Sequence, residues 1–292
     1  MRRDVRLLIA LVVVADGCGD WIFPDRAQFE LSKILNKNCG DTPYTDRLKP
    51  ENGRMFENPW LALLRHPEEE EYFCQGTLIT NRHVLTTVVC THSTVVDETI
   101  VILGEYDSQS AKQICNGEMC NDVTIMERLP RKLITHPNFQ KDTYEADVAL
   151  IMLNRNVIYT NNVKPICLPL TPVIPARIHD PITYNALWTV ENNAPKQVQI
   201  KYIPQKECQK ILGNAIELHN GQICAQYAKR IETRLIAGSG SPLLIEHQDR
   251  AFQLGILSIG VFNATYLDPY LYVNISSYVN WIHETLTNEY KP

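Results

Sequence analysis

Two short stretches of this 292-residue chain carry side chains that could do chemistry. One is Ala237-Gly238-Ser239-Gly240-Ser241-Pro242-Leu243, in which a serine lies between two glycines. The other is Glu145-Ala146-Asp147-Val148-Ala149-Leu150, in which an aspartate opens an apolar run. A serine hydroxyl becomes a nucleophile when a base takes its proton and a carboxylate orients that base. Ser239 and Asp147 could supply the nucleophile and the carboxylate, so the base remains to be found.

A third stretch shows which residue stands where that base would be. It runs from Phe73-Cys74-Gln75-Gly76-Thr77-Leu78-Ile79 to Val84-Leu85-Thr86-Thr87-Val88-Val89-Cys90. Together the stretches resemble trypsin-like (chymotrypsin-fold, peptidase S1) serine proteases, whose motifs there read CGGTLI…VLTAAHC, NDIAL and GDSGGPL. The resemblance places Ser239 at the nucleophile, Asp147 at the orienting aspartate and Val89 at the general-base histidine. Because valine cannot accept a proton, the resemblance implies a triad without its base.

The order of the landmarks carries the resemblance, since an aspartate on an apolar strand or a serine in a glycine loop is common by itself. They follow the family's order over residues 39–290: Cys74, Cys90, Asp147, 163–169, Cys208, 222–225, Ser239 and 281–282. The resemblance implies an all-β fold of two six-stranded antiparallel β-barrels with a C-terminal α-helix. Within the family, the chain is most similar to secreted arthropod serine protease homologues that lack the catalytic histidine.

The spacing of apolar residues favours the same fold class. Short β-branched or apolar runs, among them His83–Val89 and Tyr270–Ile275, alternate with turns rich in proline, glycine and asparagine. Such regular spacing is typical of barrels and sandwiches. From Ser276 to Leu286 the apolar residues recur at helical spacing behind a serine cap, which predicts the C-terminal helix.

Two further features of active relatives are missing. Ala237 stands at the glycine whose N–H helps to form the oxyanion hole, and its Cβ disfavours the backbone that glycine allows. In active relatives a new N-terminus, Ile-Val-Gly-Gly, buries its ammonium group against an aspartate beside the serine. Here Gly238 holds the aspartate position, and Arg47, the possible cleavage site, is followed by Leu48-Lys49-Pro50-Glu51. Both partners of that ion pair are therefore absent from the sequence.

The specificity pocket also departs from the family pattern. The resemblance places it at Thr233, Ser258 and Gly260, with Thr233 where trypsin-like enzymes carry an aspartate for lysine and arginine side chains. Ile259 replaces the usual tryptophan, and Leu235 replaces a cysteine whose partner is absent as well. These changes predict a rebuilt pocket.

Three histidines are possible substitutes for the missing base. His92 lies two residues beyond Cys90, His83 lies on a predicted strand, and His136 belongs to a Thr-His-Pro-Asn loop. We interpret each as an ordinary surface or loop histidine. In subtilisin, loss of the triad histidine lowers turnover by about 10⁶-fold, roughly 8 kcal/mol of barrier.

The nine cysteines indicate disulfides rather than a metal site. No Cys-x-x-Cys pair recurs with histidines, so neither zinc nor any other metal is expected, and no cofactor is indicated. The resemblance implies the pairs Cys74–Cys90, Cys208–Cys224, Cys115–Cys120 and Cys39–Cys167. Cys18 is left over: it is unpaired, paired with another chain, or removed with a signal peptide.

The N-terminus has the pattern of a secretory signal peptide over residues 1–17, with two arginines, an apolar run and then small residues. Cleavage could follow Ala15 or Gly17. We then expect a disulfide-tethered leader over 18–47, with too few cysteines for a clip domain, and a trypsin-like domain over 48–292. The oxidising compartment implied by export suits the disulfides.

Composition excludes some classes of partner. A net charge of −5 and 45% apolar residues describe an ordinary globular protein, with no reason to bind nucleic acid. No stretch is long enough to cross a membrane. The acidic run Glu68–Glu71 is expected at a solvated hairpin tip.

Asn263 and Asn274 begin glycosylation sequons, and Asn263 lies in a predicted loop.

The sequence predicts a secreted, catalytically inactive serine protease homologue, expected to be monomeric and to act by binding. Its partners would be other secreted proteases, zymogens or inhibitors, and the arthropod resemblance implies haemolymph immunity and melanisation. The alternative is a serine-type endopeptidase with residual activity, in which Ser239 uses a non-standard base. A recognition module for microbial or sugar surfaces is a third hypothesis, which no aromatic or basic cluster in the sequence supports.

Overall fold

The structure of the protein, a computed structural model, describes much of the chain from residue 56 to residue 289. The described residues are 35, 39–42, 56–69, 72–92, 98–105, 113–116, 119–122, 125–170, 184–189, 195–214, 216–228, 235–236, 238–260 and 269–289. The expected signal peptide and most of the expected leader, with Cys18 and Arg47, lie outside these ranges.

Most of the described chain is β-strand. The first half contains β1 Leu61–Arg65, β2 Tyr72–Leu78, β3 His83–Thr86, β4 Ile100–Leu103, β5 Gln113–Asn116, β6 Met119–Asp122, β7 Met126–Arg128, β8 Pro130–Thr135 and β9 Ala149–Leu153. The second half contains β10 Tyr184–Thr189, β11 Pro195–Tyr202, β12 Gln222–Tyr227, β13 Leu235–Ile236, β14 Pro242–His247, β15 Arg250–Gly260 and β16 Tyr270–Asn274.

The strands form two large antiparallel sheets and one small hairpin. The first sheet has the order β7-β4-β1-β2-β3-β9-β8, and the second has the order β11-β12-β16-β15-β14-β10-β13. The remaining strands, β5 and β6, pair with each other. Each large sheet draws its strands from one half of the chain, which confirms the predicted all-β, two-barrel fold class.

Each large sheet has seven strands, where the resemblance implied six. In the second sheet β11 also pairs with β10, which closes a barrel of six strands, and the two-residue β13 is an addition beside β10. In the first sheet β7 and β8 are separated by Leu129 alone, so one interrupted strand accounts for the difference. The additional strands are therefore short variations on the expected barrels.

Three α-helices and one 3₁₀-helix occur among the described residues. They are α1 Val88–His92, α2 Gln205–Leu212, the 3₁₀-helix Ile275–Tyr278 and α3 Val279–Glu289. The predicted strand over His83–Val89 is wrong beyond Thr86, where the chain turns into α1. β-Branched valines favour strands, but the Thr87 hydroxyl oxygen accepts the Cys90 N–H at 3.2 Å and caps the helix start.

The predicted C-terminal helix is present, with a different cap. The cap is the side chain of Asn274 and not that of Ser276. The Asn274 Oδ1 accepts the backbone N–H of Ser276 at 3.2 Å. The helix then continues to Glu289, three residues beyond the predicted end at Leu286. Asparagine is among the best N-cap residues, so the cap of the helical segment lies two residues earlier than the sequence indicated.

Packing and disulfides join the halves of the molecule. One buried cluster contains Leu85 and Leu150 of the first sheet, Leu244 and Ile256 of the second, and Ile282 of α3. Because this cluster is shared, the two sheets and the C-terminal helix form one core around the junction where the site lies.

Three disulfides are formed among the described side chains: Cys39–Cys167, Cys74–Cys90 and Cys208–Cys224. The first ties the leader to the segment between the barrels, and the second ties β2 to α1. Cys115 and Cys120 lie opposite each other in the β5–β6 register. Their pairing stays a prediction.

Candidate active-site remnant

Ser239 lies in a turn that the two barrels hold between them. The Ser239 carbonyl accepts the N–H of Gln75 in β2 at 2.9 Å, and the Gly240 N–H donates to the carbonyl of Leu257 in β15 at 2.8 Å. Gly240 has a φ of +86°, and a Cβ there would lie 1.7 Å from the Gln75 carbonyl oxygen. Only glycine fits at this point, so the close approach of β2 fixes the position of Ser239.

Asp147 links three parts of the structure through its carboxylate. It precedes β9 and is completely buried. Its Oδ1 accepts the backbone N–H of Val89 in α1 at 2.9 Å, and its Oδ2 accepts the hydroxyl of Ser258 in β15 at 2.5 Å. A buried carboxylate is tolerated only with such donors. Asp147 therefore holds α1 and the second barrel against the start of β9.

The backbone before Asp147 is held in an uncommon conformation. Tyr144 and Ala146 have φ values of +54° and +53°, a left-handed region that side-chain-bearing residues rarely adopt. The Ala146 N–H donates to the Tyr278 hydroxyl oxygen at 3.1 Å, which ties this turn to the C-terminal helical segment. Surrounding contacts that enforce such a conformation are typical of functional sites, and here they keep Asp147 directed into the barrel junction.

The Ser239 hydroxyl donates its proton to a group that cannot remove it. Ser239 Oγ lies 2.6 Å from the carbonyl oxygen of Ser258, while the Ser258 hydroxyl donates to Asp147. Ser258 therefore connects the retained serine to the retained aspartate through its own backbone and side chain. At the histidine position, Val89 contributes only its backbone N–H to this network. A backbone carbonyl is not a general base, so this hydrogen bond does not activate Ser239.

His83 is committed to the interior of the first barrel. Its side chain is 1% exposed, and its Nδ1 lies 2.9 Å from the Thr80 hydroxyl oxygen. The N–H groups of Arg82 and His83 both donate to that oxygen, so the hydroxyl proton is left to donate to Nδ1. Burial lowers the pKa of His83 from 6.5 to about 4. In the sheet His83 lies opposite Met152, at the end of β9 away from Asp147.

His136 lies near Asp147 in the chain path but packs elsewhere. Its ring contacts those of Tyr278 and Trp281, each with centroids 5.2 Å apart, and its Nδ1 accepts the Asn138 N–H at 3.2 Å. Burial lowers its pKa. His92 is the last residue of α1, and its side chain lies outside the described part. The structure thus gives neither His83 nor His136 a contact with Ser239.

An aromatic ring lies against the predicted specificity pocket. Gly260 pairs with Tyr270 across β15 and β16, and a Cβ on Gly260 would meet the Tyr270 ring at 3.1 Å. The rings of Tyr270 and buried Tyr227 are 4.4 Å apart. Burial, followed by the neighbouring tyrosines, raises the pKa of Tyr227 well above its usual value. Sequence analysis missed Tyr270, because its position against Gly260 follows only from the strand register.

Of the three residues predicted to form the specificity pocket, the structure describes Ser258 and Gly260. Ser258 is 1% exposed and uses its hydroxyl for Asp147, while Gly260 lies beside Tyr270. Thr233 and Ala237 lie outside the described residues, as does Asn263. At Gly238 an added Cβ would meet only Leu257, at 3.7 Å. Gly238 therefore has room for a first side-chain atom.

The described residues show no metal site and no membrane span. Within them, no three histidine, cysteine, aspartate or glutamate side chains are grouped so that they could hold a metal ion. None of the described helices is long and apolar enough to cross a bilayer.

We predict that Asp147→Ala destabilises the protein far more than Ser239→Ala. Removing the buried carboxylate leaves two donors unpaired across the barrel junction and should lower the free energy of unfolding by about 3 kcal/mol or more. Removing the Ser239 hydroxyl should cost about 1 kcal/mol or less. Urea unfolding measures both, with Asp147→Asn as the conservative control. Equal costs for the two alanine variants would contradict this role for Asp147.

We also predict a pH dependence of stability from His83. The unfolded chain takes up a proton near pH 6.5 and the folded chain only near pH 4, so the unfolded state binds more protons between these values. The contribution is complete above about pH 6.5 and is lost as the pH falls toward 4, by roughly 3 kcal/mol in all. His83→Gln should flatten the pH dependence of urea unfolding between about pH 4 and pH 6.5. An unchanged slope in His83→Gln would show the prediction to be wrong.

Comparisons with known proteins match this architecture. Residues 49–282 match the family model described as Trypsin. CLIP domain-containing serine protease B10 of Anopheles gambiae is 30% identical over 264 residues, covering 85% of this chain and 72% of that protein. Serine protease grass of Drosophila melanogaster is 28% identical over 276 residues, covering 88% of this chain and 72% of that protein. Phenoloxidase-activating factor 1 of Holotrichia diomphalia is 27% identical over 273 residues, covering 86% of this chain and 73% of that protein.

A solved structure shows the same fold. The crystal structure of the Drosophila Grass clip serine protease of the Toll pathway superimposes with a TM-score of 0.74 and 24% identity, covering 88% of this chain and 77% of that one. The match of the family model over most of the chain, together with the relatives and the two-barrel architecture, leads to one conclusion. The chain belongs to the trypsin family of serine proteases and their homologues.

Proposed function

We propose that this protein is a secreted, catalytically inactive serine protease homologue that works by binding. It acts as a cofactor, decoy or regulator in an extracellular proteolytic cascade. Its partners are other secreted proteases, zymogens or inhibitors, met by the loops and cleft of a protease-shaped surface. The names of the relatives, which include a phenoloxidase-activating factor and a protease of the Toll pathway, favour an immune cascade.

One observation carries the proposal of inactivity. The Ser239 hydroxyl donates to the Ser258 carbonyl, and the Asp147 carboxylate receives the Val89 N–H and the Ser258 hydroxyl. In an active relative this carboxylate orients the base, whereas here Val89 stands at the position of the base and offers the carboxylate only its backbone N–H. The ring of Tyr270 beside Gly260 supports the proposal, because it lies where the resemblance places the pocket for a substrate side chain.

Retention of Asp147 and Ser239 has a structural explanation under this proposal. Asp147 is a buried link between the barrels, and the backbone of Ser239 bonds to β2. Selection for the fold is then sufficient to keep both residues without selection for chemistry. The proposal also includes the domain limits 1–17, 18–47 and 48–292, glycosylation at Asn263 and Asn274, and cleavage at Arg47. A serine endopeptidase with residual activity remains the competing function, and hydrolysis distinguishes the two.

We predict that peptide hydrolysis by the secreted protein equals that of its Ser239→Ala variant, before and after cleavage at Arg47. The reason is that neither form has a base for Ser239, and cleavage supplies no ion-pair partner at Gly238. Fluorogenic peptides with basic, aromatic and small residues before the scissile bond measure the activity. The Ser239→Ala variant should also alter the rate of a partner protease as wild type does. A rise in hydrolysis that depends on Ser239 would establish the competing function.

A further inference from the structure

Three arginines converge at one end of the first barrel. Arg82 precedes β3, Arg128 ends β7, and Arg155 follows β9. The Leu153 N–H donates to the Arg82 carbonyl at 2.8 Å, and the Asn154 N–H donates to the Leu129 carbonyl at 2.9 Å, so the three segments are joined by backbone hydrogen bonds. Residues Arg82, Leu129, Arg128, Arg155 and Ile158 are called the arginine corner below.

No carboxylate neutralises these arginines within the described part of the chain. The Arg82 Nε donates to the Leu153 carbonyl at 3.1 Å, and Arg128 donates to the carbonyl of Glu127 at 2.8 Å. Arg155 has no hydrogen bond or ion pair to any described residue. Burial and then the charge of Arg155 lower the pKa of Arg128, so the two cations lie near each other. This concentration of unpaired positive charge stands out in a chain of net charge −5.

Exposed aliphatic side chains lie among the charges. Leu129, between β7 and β8, is 46% exposed, and Ile158 is 75% exposed. The residue before Ile158, Val157, donates its N–H to the carbonyl of Asn81 at 2.7 Å, which places this segment beside Arg82. Protein interfaces are enriched in arginine and bury apolar side chains at their centre. A purely anionic ligand such as a sulfated polysaccharide has no apolar group that could pack on Leu129 and Ile158.

We propose that the arginine corner binds an acidic peptide segment of a partner protein. Carboxylates of the segment pair with Arg82, Arg128 and Arg155, and an aliphatic side chain of the segment packs on Leu129 and Ile158. Guanidinium groups bind carboxylates in bidentate geometry, and the excess of positive charge at the corner is complementary to such a segment.

The corner is separate from the site around Ser239. Asp147 precedes β9 and Arg155 follows it, and five residues of strand span about 17 Å. Peptide binding at the corner therefore does not depend on whether Ser239 is silent. The Ser239→Ala variant should bind the peptide as wild type does, so failure of this proposal is distinguishable from failure of the proposed function.

Fluorescence anisotropy with a short labelled peptide, in which glutamate alternates with leucine, tests the proposal on the full secreted protein. Arg155→Glu should weaken binding about tenfold, since repulsion replaces attraction. Ile158→Ser should weaken it by about threefold, because apolar contact is lost. The matched controls, Lys206→Glu and Ile211→Ser on α2, change an exposed cation and an exposed aliphatic residue elsewhere and should have no effect.

Three results would overturn the proposal. One is the absence of saturable peptide binding at concentrations up to roughly 1 mM. Another is an equal loss of binding in the control variants on α2. The third is equally tight binding of a peptide with serine in place of leucine, or of heparin, since the corner would then recognise charge alone. Thermal unfolding of Arg155→Glu and Ile158→Ser, both at exposed positions, verifies that the variants are folded.

Discussion

The carboxylate of Asp147 is the link on which the junction of the two barrels depends. It is buried, and its two oxygens accept donors from α1 of the first barrel and from β15 of the second. An ionised group in such a position has to be fully hydrogen-bonded, because water is excluded from it. The turn before it, with Tyr144 and Ala146 at positive φ, is ordered by the hydroxyl of Tyr278. The site around Asp147 and Ser239 is therefore part of the junction between the two barrels.

Under the proposed function, valine at position 89 leaves this connection intact and takes away only the base. The Val89 backbone still donates to Asp147, so a valine side chain is tolerated at the end of that hydrogen bond. Ser239 is likewise held by its backbone and by glycine packing at Gly240, and its hydroxyl is satisfied by the Ser258 carbonyl. If the protein is inactive, as we propose, the stability of the fold alone is a reason to keep these residues. The arginine corner, where we propose that a partner binds, lies at the far end of β9 from this site.

Much of the architecture could be predicted from sequence, because it rests on order and spacing. Cys74 and Cys90, Asp147 and Ser239 stand at intervals that resemble one fold, and that fold is present. Contacts across strands could not be predicted in this way. The position of Tyr270 against Gly260 depends on register, and the segments of Arg82 and Arg155 are joined only by a hydrogen bond between residues far apart in the chain. The start of α1 after Thr86 could not be predicted, because its valines favour strands. The hydroxyl of Thr87 caps the helix and overrides that preference.

The most direct test of an inactive Ser239 is labelling by a fluorophosphonate, which reacts with an activated serine irrespective of the substrate that the pocket accepts. The secreted protein is labelled uncut and after cleavage at Arg47, with trypsin as the positive control and Ser239→Ala as the negative control. We predict no label above that of Ser239→Ala in either form. A label that is present in wild type and lost in Ser239→Ala would show that some other base serves Ser239, and the protein would be an enzyme.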